Sequence, residues 1–257
     1  MKNHIFPYFI LSILCCSSFG LAAQQLKILT YNIHHANPPS ENETVINLDT
    51  IAAIIKRTHA DLVGLQEIDV NLDRSQNIDQ AKKLAELTGM HYFFSKGINL
   101  DAGEYGTVIL SKYPIVKTER LELPSPIASE KRSLGIIHIK LNGRTIKFAN
   151  THLDLKNENR LAQTAFIIDK FKNDQELVIL VGDLNAEPEE EPIRNLEQIF
   201  TRSQIKNGFT IPEVDPDREI DYIMVNKGNQ FKFKNHHVLS ETYASDHRPV
   251  YVEINAQ

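Results

Sequence analysis

Leu177-Val178-Ile179-Leu180-Val181-Gly182-Asp183-Leu184-Asn185 is an apolar run that passes straight into a glycine and two polar side chains. A run this short and unbroken reads as a strand buried on both faces, inside a sheet covered by helices. Asp183 and Asn185 are two apart, so an extended chain points both to one side. Gly182 lets another backbone or a ligand come close. Polar groups gathered at strand ends are how layered α/β proteins build their sites, so this stretch predicts both the fold class and where its chemistry lies.

Four more motifs end strand-like runs in the same way: Thr30-Tyr31-Asn32, Leu65-Gln66-Glu67, Asn150-Thr151-His152-Leu153-Asp154 and Ser245-Asp246-His247. His152 and Asp154 repeat the two-residue spacing. Glu67 closes a core strand, and one carboxylate is often all that Mg²⁺ takes from a protein, with water and phosphate oxygens filling the other positions. A neutral His247 can accept a proton from water if an acid orients it, and Asp221 in Ile220-Asp221-Tyr222 is the candidate. Carboxylates for a hard cation, two histidines and two asparagines are the equipment of metal-assisted phosphoryl transfer.

Working outward, strands are predicted over 26–31, 62–66, 134–141, 145–150, 177–181, 222–225 and 250–254. Helices are predicted over 49–58, 158–171 and 190–200. Asp79 caps a further helix through Ala81, Leu84 and Leu87, which Gly89 ends. Asn142-Gly143 is a hairpin signal because both residues tolerate positive φ, so the sheet cannot be purely parallel. Turn-rich breaks at 37–43, 124–133 and 210–217 read as surface loops, and no internal repeat is visible. Strands with helices outside them make a layered α/β sandwich, and residues 24–257 suit one large domain.

Residues 1–23 hold a single charged side chain, Lys2, then an apolar stretch over 5–14 and small residues ending at Ala22-Ala23. This reads as a signal peptide for export to the periplasm or beyond, not as a membrane span, and the mature chain carries no transmembrane segment. Cys15 after Leu14 also permits lipid-anchored processing. Both cysteines, Cys15 and Cys16, fall in the leader, so disulfides contribute nothing to the mature protein, which is expected to be a monomer. The formal net charge is −5 at pH 7, with no dense Lys/Arg cluster, which lowers the case for a nonspecific nuclease without removing it. The absence of Trp argues mildly against a lipid-surface enzyme.

The five motifs, in this order, resemble the endonuclease/exonuclease/phosphatase superfamily, with the likeness running from Tyr31 to about Tyr251. The resemblance implies a four-layer α/β/β/α sandwich of two packed mixed sheets with the site at one edge. It implies Glu67 as the main metal ligand, flanked by Asn32 and Asp246, for Mg²⁺ with Mn²⁺ as the alternative. Asp183 and Asn185 would position or deprotonate the attacking water or protonate the leaving group, while His152 and the His247–Asp221 pair would serve the phosphate. The motifs leave the choice of base open. Several nucleases of the superfamily carry an acidic residue two positions after the first-motif asparagine. Here that position is His34, which favours one metal over two. Further matches at Asp69, Arg74, Gln80, Glu104-Tyr105-Gly106 and Glu130 to Arg132 resemble an exported bacterial branch. Arg74, Tyr105, Arg132 and Asp154 are the substrate-binding candidates, since an arginine fork suits phosphate oxygens. The expected function is an exported Mg²⁺-dependent phosphoesterase acting on a phosphodiester. A nuclease and a catalytically silent phospho-ligand binder are the alternatives.

Overall fold

The protein is described here by a computed structural model covering residues 24–256. The predicted leader, with Cys15 and Cys16, lies outside the described residues. In chain order the elements are β1 (Gln24–Asn32), α1 (Leu48–Thr58), β2 (Leu62–Val70), α2 (Gln80–Thr88), β3 (His91–Leu100), β4 (Gly103–Ser111), β5 (Ile115–Glu122) and β6 (Ser133–Leu141). They continue as β7 (Arg144–His152), α3 (Asn157–Phe171), β8 (Leu177–Asp183), α4 (Glu191–Leu196), β9 (Phe200–Arg202), β10 (Asp221–Asn226), β11 (Phe231–Val238) and β12 (Val250–Ala256).

These strands form two six-stranded sheets, ordered β11-β12-β1-β2-β4-β3 and β5-β6-β7-β8-β10-β9. Each sheet holds one parallel pair, β1 with β2 and β7 with β8. A parallel pair needs a long crossover, which α1 and α3 supply. The remaining strand pairs are antiparallel, so both sheets are mixed.

Side-chain alternation sorts the core into three layers. Ile28, Ile109, Phe148, Ile179 and Ile223 fill the space between the sheets. Their neighbours face outward: Leu29 and Val63 meet Ile51 and Ile55 of α1, and Val178 and Leu180 meet Ile167 of α3 and Ile193 of α4. This explains why 177–181 is apolar throughout, since β8 is covered on both faces. The result is the expected four-layer α/β/β/α sandwich.

Local signals hold where they rest on caps and turns. Asp79 accepts the Lys82 N–H to start α2, and Gly89 ends it at φ 69°. Asn142 and Gly143 take φ values of 49° and 79° between β6 and β7. The helix predicted to reach residue 200 instead stops at Leu196. Phe200 is fully buried, packs edge-on to Phe171 and opens β9 against Asn226, so burial and strand pairing override the helical pattern. No strand was expected at β3, β4, β5 or β11, although β11 alternates Phe231 and Phe233 with lysines.

The sheets come unusually close beside the motifs. A Cβ on Gly64 would lie 2.4 Å from Val181 Cγ2 and 2.9 Å from Asn150 Oδ1, so only glycine fits there. Asn150 bridges the gap, donating to the Leu65 and Val108 carbonyls of the facing sheet and accepting from Gln66 Nε2.

Candidate active site

Strand direction gathers the polar motifs at one rim. β1, β7 and β8 end in Asn32, His152 and Asp183, while antiparallel β10 begins with Asp221. Register pairs His152 with Asp183 and Asp183 with Asp221, setting three titratable side chains on adjacent strands. Asn32 reaches across from the other sheet. Its Nδ2 lies 3.0 Å from Glu67 Oε1, 3.0 Å from Asp183 Oδ2 and 3.5 Å from His247 Nε2, while Oδ1 accepts the His34 N–H.

Glu67 is aimed into this cluster by a bulge, for the pairing of β2 with β4 shifts between Leu65 and Ile68. Its φ of 60° is left-handed, the kind of re-aimed backbone that bulges place beside active sites. The next loop is strained too: His34, His35 and Ala36 take φ of 45°, 40° and 59°. Such residues cost about 1–2 kcal/mol each, so the surroundings must hold them. Gln80 does this, accepting the Asp69 N–H and donating to the His35 carbonyl at 2.7 Å. Burial alone would raise the Glu67 carboxyl, but the facing His35 and the Asn32 amide outweigh it and hold it well below the usual carboxylate range.

His247 Nδ1 donates to Asp221 Oδ2 at 2.8 Å, and its Nε2 faces Asp183 Oδ2 at 3.7 Å. Burial disfavours charge on this ring, but Asp221 and then Asp183 outweigh it and raise its pKa, which favours the protonated ring. Asp183 moves upward as well, because it is buried and because Asp221 carries like charge beside it. His152 does the opposite. Burial and the adjacent Arg132 lower it to about 3, and it is neutral. An arginine can only donate, so the 3.4 Å contact of Arg132 with Nδ1 puts the His152 proton on Nε2, which faces Asp183 Oδ2 at 3.5 Å.

Above this row opens a cleft of about 280 Å³, whose walls include Glu67, Tyr105, Arg132, His152, Asp183, Asn185 and His247. Glu130, beside Arg132, lines it as well, and so do Leu155, Ile211, Arg218 and Ile220, none of which the sequence motifs single out. Leu155 carried a signal: it is an apolar residue directly after the His152 motif, and it stands 73 % exposed at the cleft. Arg74 lies behind the wall, forked onto buried Asp69 with its guanidinium over the Tyr105 ring. Asp154 does not line the cleft: β7 ends at His152, and the carboxylate turns to Ser129, Asn159 and the Lys156 N–H. Strand alternation does not place Asn185 beside Asp183 either, since β8 ends at Asp183 and Asn185 has φ 48°. A turn brings it there, its N–H on Asp183 Oδ1 and its amide on the Leu153 carbonyl. Asp246 sits next to His247 and accepts from Ser245 Oγ, which also donates to the Asn32 carbonyl.

The donor set fits a divalent cation at Glu67. Oε1 is held by Asn32, whereas Oε2 faces His35 Nδ1 at 4.0 Å, beyond hydrogen-bond length. Asp183, Asp221 and His247 also present ligand atoms within 4.8 Å of one another, but His247 and Asp221 are engaged with each other, which suits proton chemistry better than coordination.

Residues 29–247 match the model of the Endonuclease/Exonuclease/phosphatase family. The chain belongs to that family, whose members are hydrolases acting on phosphate esters. It is similar to the uncharacterized protein YbhP of Escherichia coli strain K12, with 25% identity over 247 residues that span 89% of this chain and 96% of YbhP. An endonuclease/exonuclease/phosphatase family protein of Bacteroides thetaiotaomicron shares the fold at TM-score 0.76 and 22% identity, covering 91% of this chain and 99% of that one. The mannosyl-6-phosphatase Bt3783 of Bacteroides thetaiotaomicron VPI-5482 does so at TM-score 0.73 and 22% identity, covering 89% and 99%.

Proposed function

We propose that the protein is an exported, Mg²⁺-dependent phosphoesterase that hydrolyses a phosphodiester by in-line attack of water on phosphorus. The observation that carries this reading is the row His152–Asp183–Asp221, with His247 bonded to Asp221 and Glu67 facing the row through Asn32. The leader motivates export, and among the described residues no helix is long and apolar enough to cross a membrane.

In this reading Glu67, flanked by Asn32 and Asp246, would hold Mg²⁺ or Mn²⁺, which when bound neutralises charge on a phosphoryl oxygen. Asn32 contributes through its amide hydrogens as placed, by fixing Glu67 and Asp183. Asp183 takes the proton of the attacking water, a role suited to a carboxylate whose pKa burial has raised towards working pH. Asn185 and Asn32 keep one face of that carboxylate oriented. His247 presents Nε2–H to the charge that develops on phosphorus oxygens, with Asp221 fixing the ring. His152 steadies Asp183 from the other side, and Tyr105 and Arg132 meet the phosphate or its substituent at the wall. Arg74 acts through Tyr105 and Asp69. The apolar Leu155 and Ile211 give the cleft room for an organic group beyond the phosphate, which favours a diester. A monoester phosphatase is the second reading, favoured by the likeness to a mannosyl-6-phosphatase. The acidic net charge keeps nucleic acid below both.

Hydrolysis of bis-p-nitrophenyl phosphate and p-nitrophenyl phosphate by the purified, chelator-stripped protein tests this. Activity should be absent until Mg²⁺ or Mn²⁺ is restored and should be higher on the diester. Full turnover in excess chelator would refute the metal-dependent reading, and a preference for the monoester would select the second reading.

A further inference from the structure

The strained turn over His34–Ala36 takes no part in the proton chemistry above, yet it delivers a buried nitrogen to Glu67. His35 Nδ1 has no hydrogen-bond partner and no contact with solvent. It faces Glu67 Oε2 at 4.0 Å, too long for a hydrogen bond. Two donors each about 2.1 Å from one ion stand about 3.0–4.2 Å apart, depending on the angle between them. The observed separation falls in that interval. Buried polar atoms in folded proteins nearly always find a partner, so an orphaned ring nitrogen beside an ionised carboxylate calls for one.

The surroundings hold this ring in place. His34 packs against it at a centroid distance of 4.6 Å and is itself anchored through Nδ1 to the Asn37 carbonyl at 3.0 Å. Gln80 bonds the His35 carbonyl and, through its other amide atom, the Asp69 N–H two residues past Glu67. One buried side chain thus couples the loop that carries His35 to the strand that carries Glu67. Three consecutive left-handed residues, none of them glycine, form the turn that sets this juxtaposition.

We infer that His35 Nδ1 is a metal ligand beside Glu67, making the centre a mixed nitrogen–oxygen site that accepts Mg²⁺ but binds a divalent transition metal such as Mn²⁺ more tightly. This rests on the metal reading of Glu67 given above. Mg²⁺ favours an all-oxygen shell and gains little from imidazole, whereas ions later in the first-row series bind it increasingly well.

Electron spin-echo spectroscopy of Mn²⁺ bound to the full chain, paired with calorimetric titrations of Mn²⁺ and Mg²⁺, tests the assignment without reference to turnover. Wild-type protein should show nitrogen modulation from a directly bound imidazole. His35→Gln should remove it and weaken Mn²⁺ binding about 10–100-fold, with Mg²⁺ binding changed less than about threefold. Wild-type protein that binds Mn²⁺ without nitrogen modulation overturns the inference, and that measurement needs no variant to fold. Modulation that persists in folded His35→Gln overturns it as well. In either case loss of Mn²⁺ binding in Glu67→Gln would leave the carboxylate-only site standing. Absence of any Mn²⁺ binding by wild-type protein would overturn the inference and the metal reading together.

Discussion

Asp221 and His247 show how one hydrogen bond sets the character of a site. The 2.8 Å contact fixes the proton on Nδ1, leaves Nε2 to face the cleft, and favours charge on a ring that burial would otherwise disfavour. An amide at position 221 would keep the shape and lose the charge. Asp221→Asn is therefore expected to lower kcat about 10²–10³-fold with little change in KM, the pattern of an orienting group whose effect is felt in the transition state. Steady-state kinetics on a diester checks this, and an unchanged kcat would show that the pair is structural. The same contact joins residues 26 positions apart, and Asn32 meets His247 across 215. Motif order made these residues legible as candidates, but no spacing rule could bring them within reach of one another. Asp154 and Arg74 show the converse: each has the right chemical type, yet Asp154 is engaged by Ser129 and by Asn159 of α3, and Arg74 by Asp69.

At the scale of elements, edge strand β5 is pinned by Glu119, which accepts from His138 of β6 at 2.7 Å and from Lys170 of α3 at 2.9 Å. Burial opposes ionisation of Glu119, but hydrogen bonds from Lys170, His138 and Lys117 outweigh it and bring its pKa down to about 2. A carboxyl with a lowered folded pKa contributes stability above its unfolded value of about 4.3, and that stability fades as pH falls towards 2. Glu119→Gln should lower Tm at pH 7 by about 2–4 °C, the shift roughly 1 kcal/mol produces in a domain of this size. The gap between variant and wild type should close below pH 3, as thermal unfolding followed by circular dichroism across pH would show. A gap that stays constant with pH would assign the loss to packing instead. Elements specified locally were legible: the Asp79 cap, the Asn142-Gly143 turn and the doubly buried β8 need only neighbouring residues. The end of α4 was not, because Phe200 is drawn into β9 by partners in α3 and β10. Strands β3 and β5, each paired on one edge only, carry a mixed pattern of burial that blurs the alternation.

For the whole molecule, two sheets of matching construction bring their motif-bearing strand ends to a common rim. Each has a helix-bridged parallel pair at its centre, and the facing sheets are stitched by Asn150 where Gly64 lets them close. The chemistry then needs only side chains that the rim already presents, which is why five short motifs in order were enough to foretell the sandwich and its family. Asp183 stands at the centre of that arrangement, 1 % exposed and in contact with Asn32, His152, His247 and Asn185. The most direct test is kcat/KM of Asp183→Asn on bis-p-nitrophenyl phosphate, with circular dichroism and Mn²⁺ binding measured on the same sample. A folded, metal-binding variant reduced about 10³-fold or more would establish Asp183 as the group that handles the proton of the attacking water. A folded variant that retains wild-type kcat/KM would contradict that mechanism.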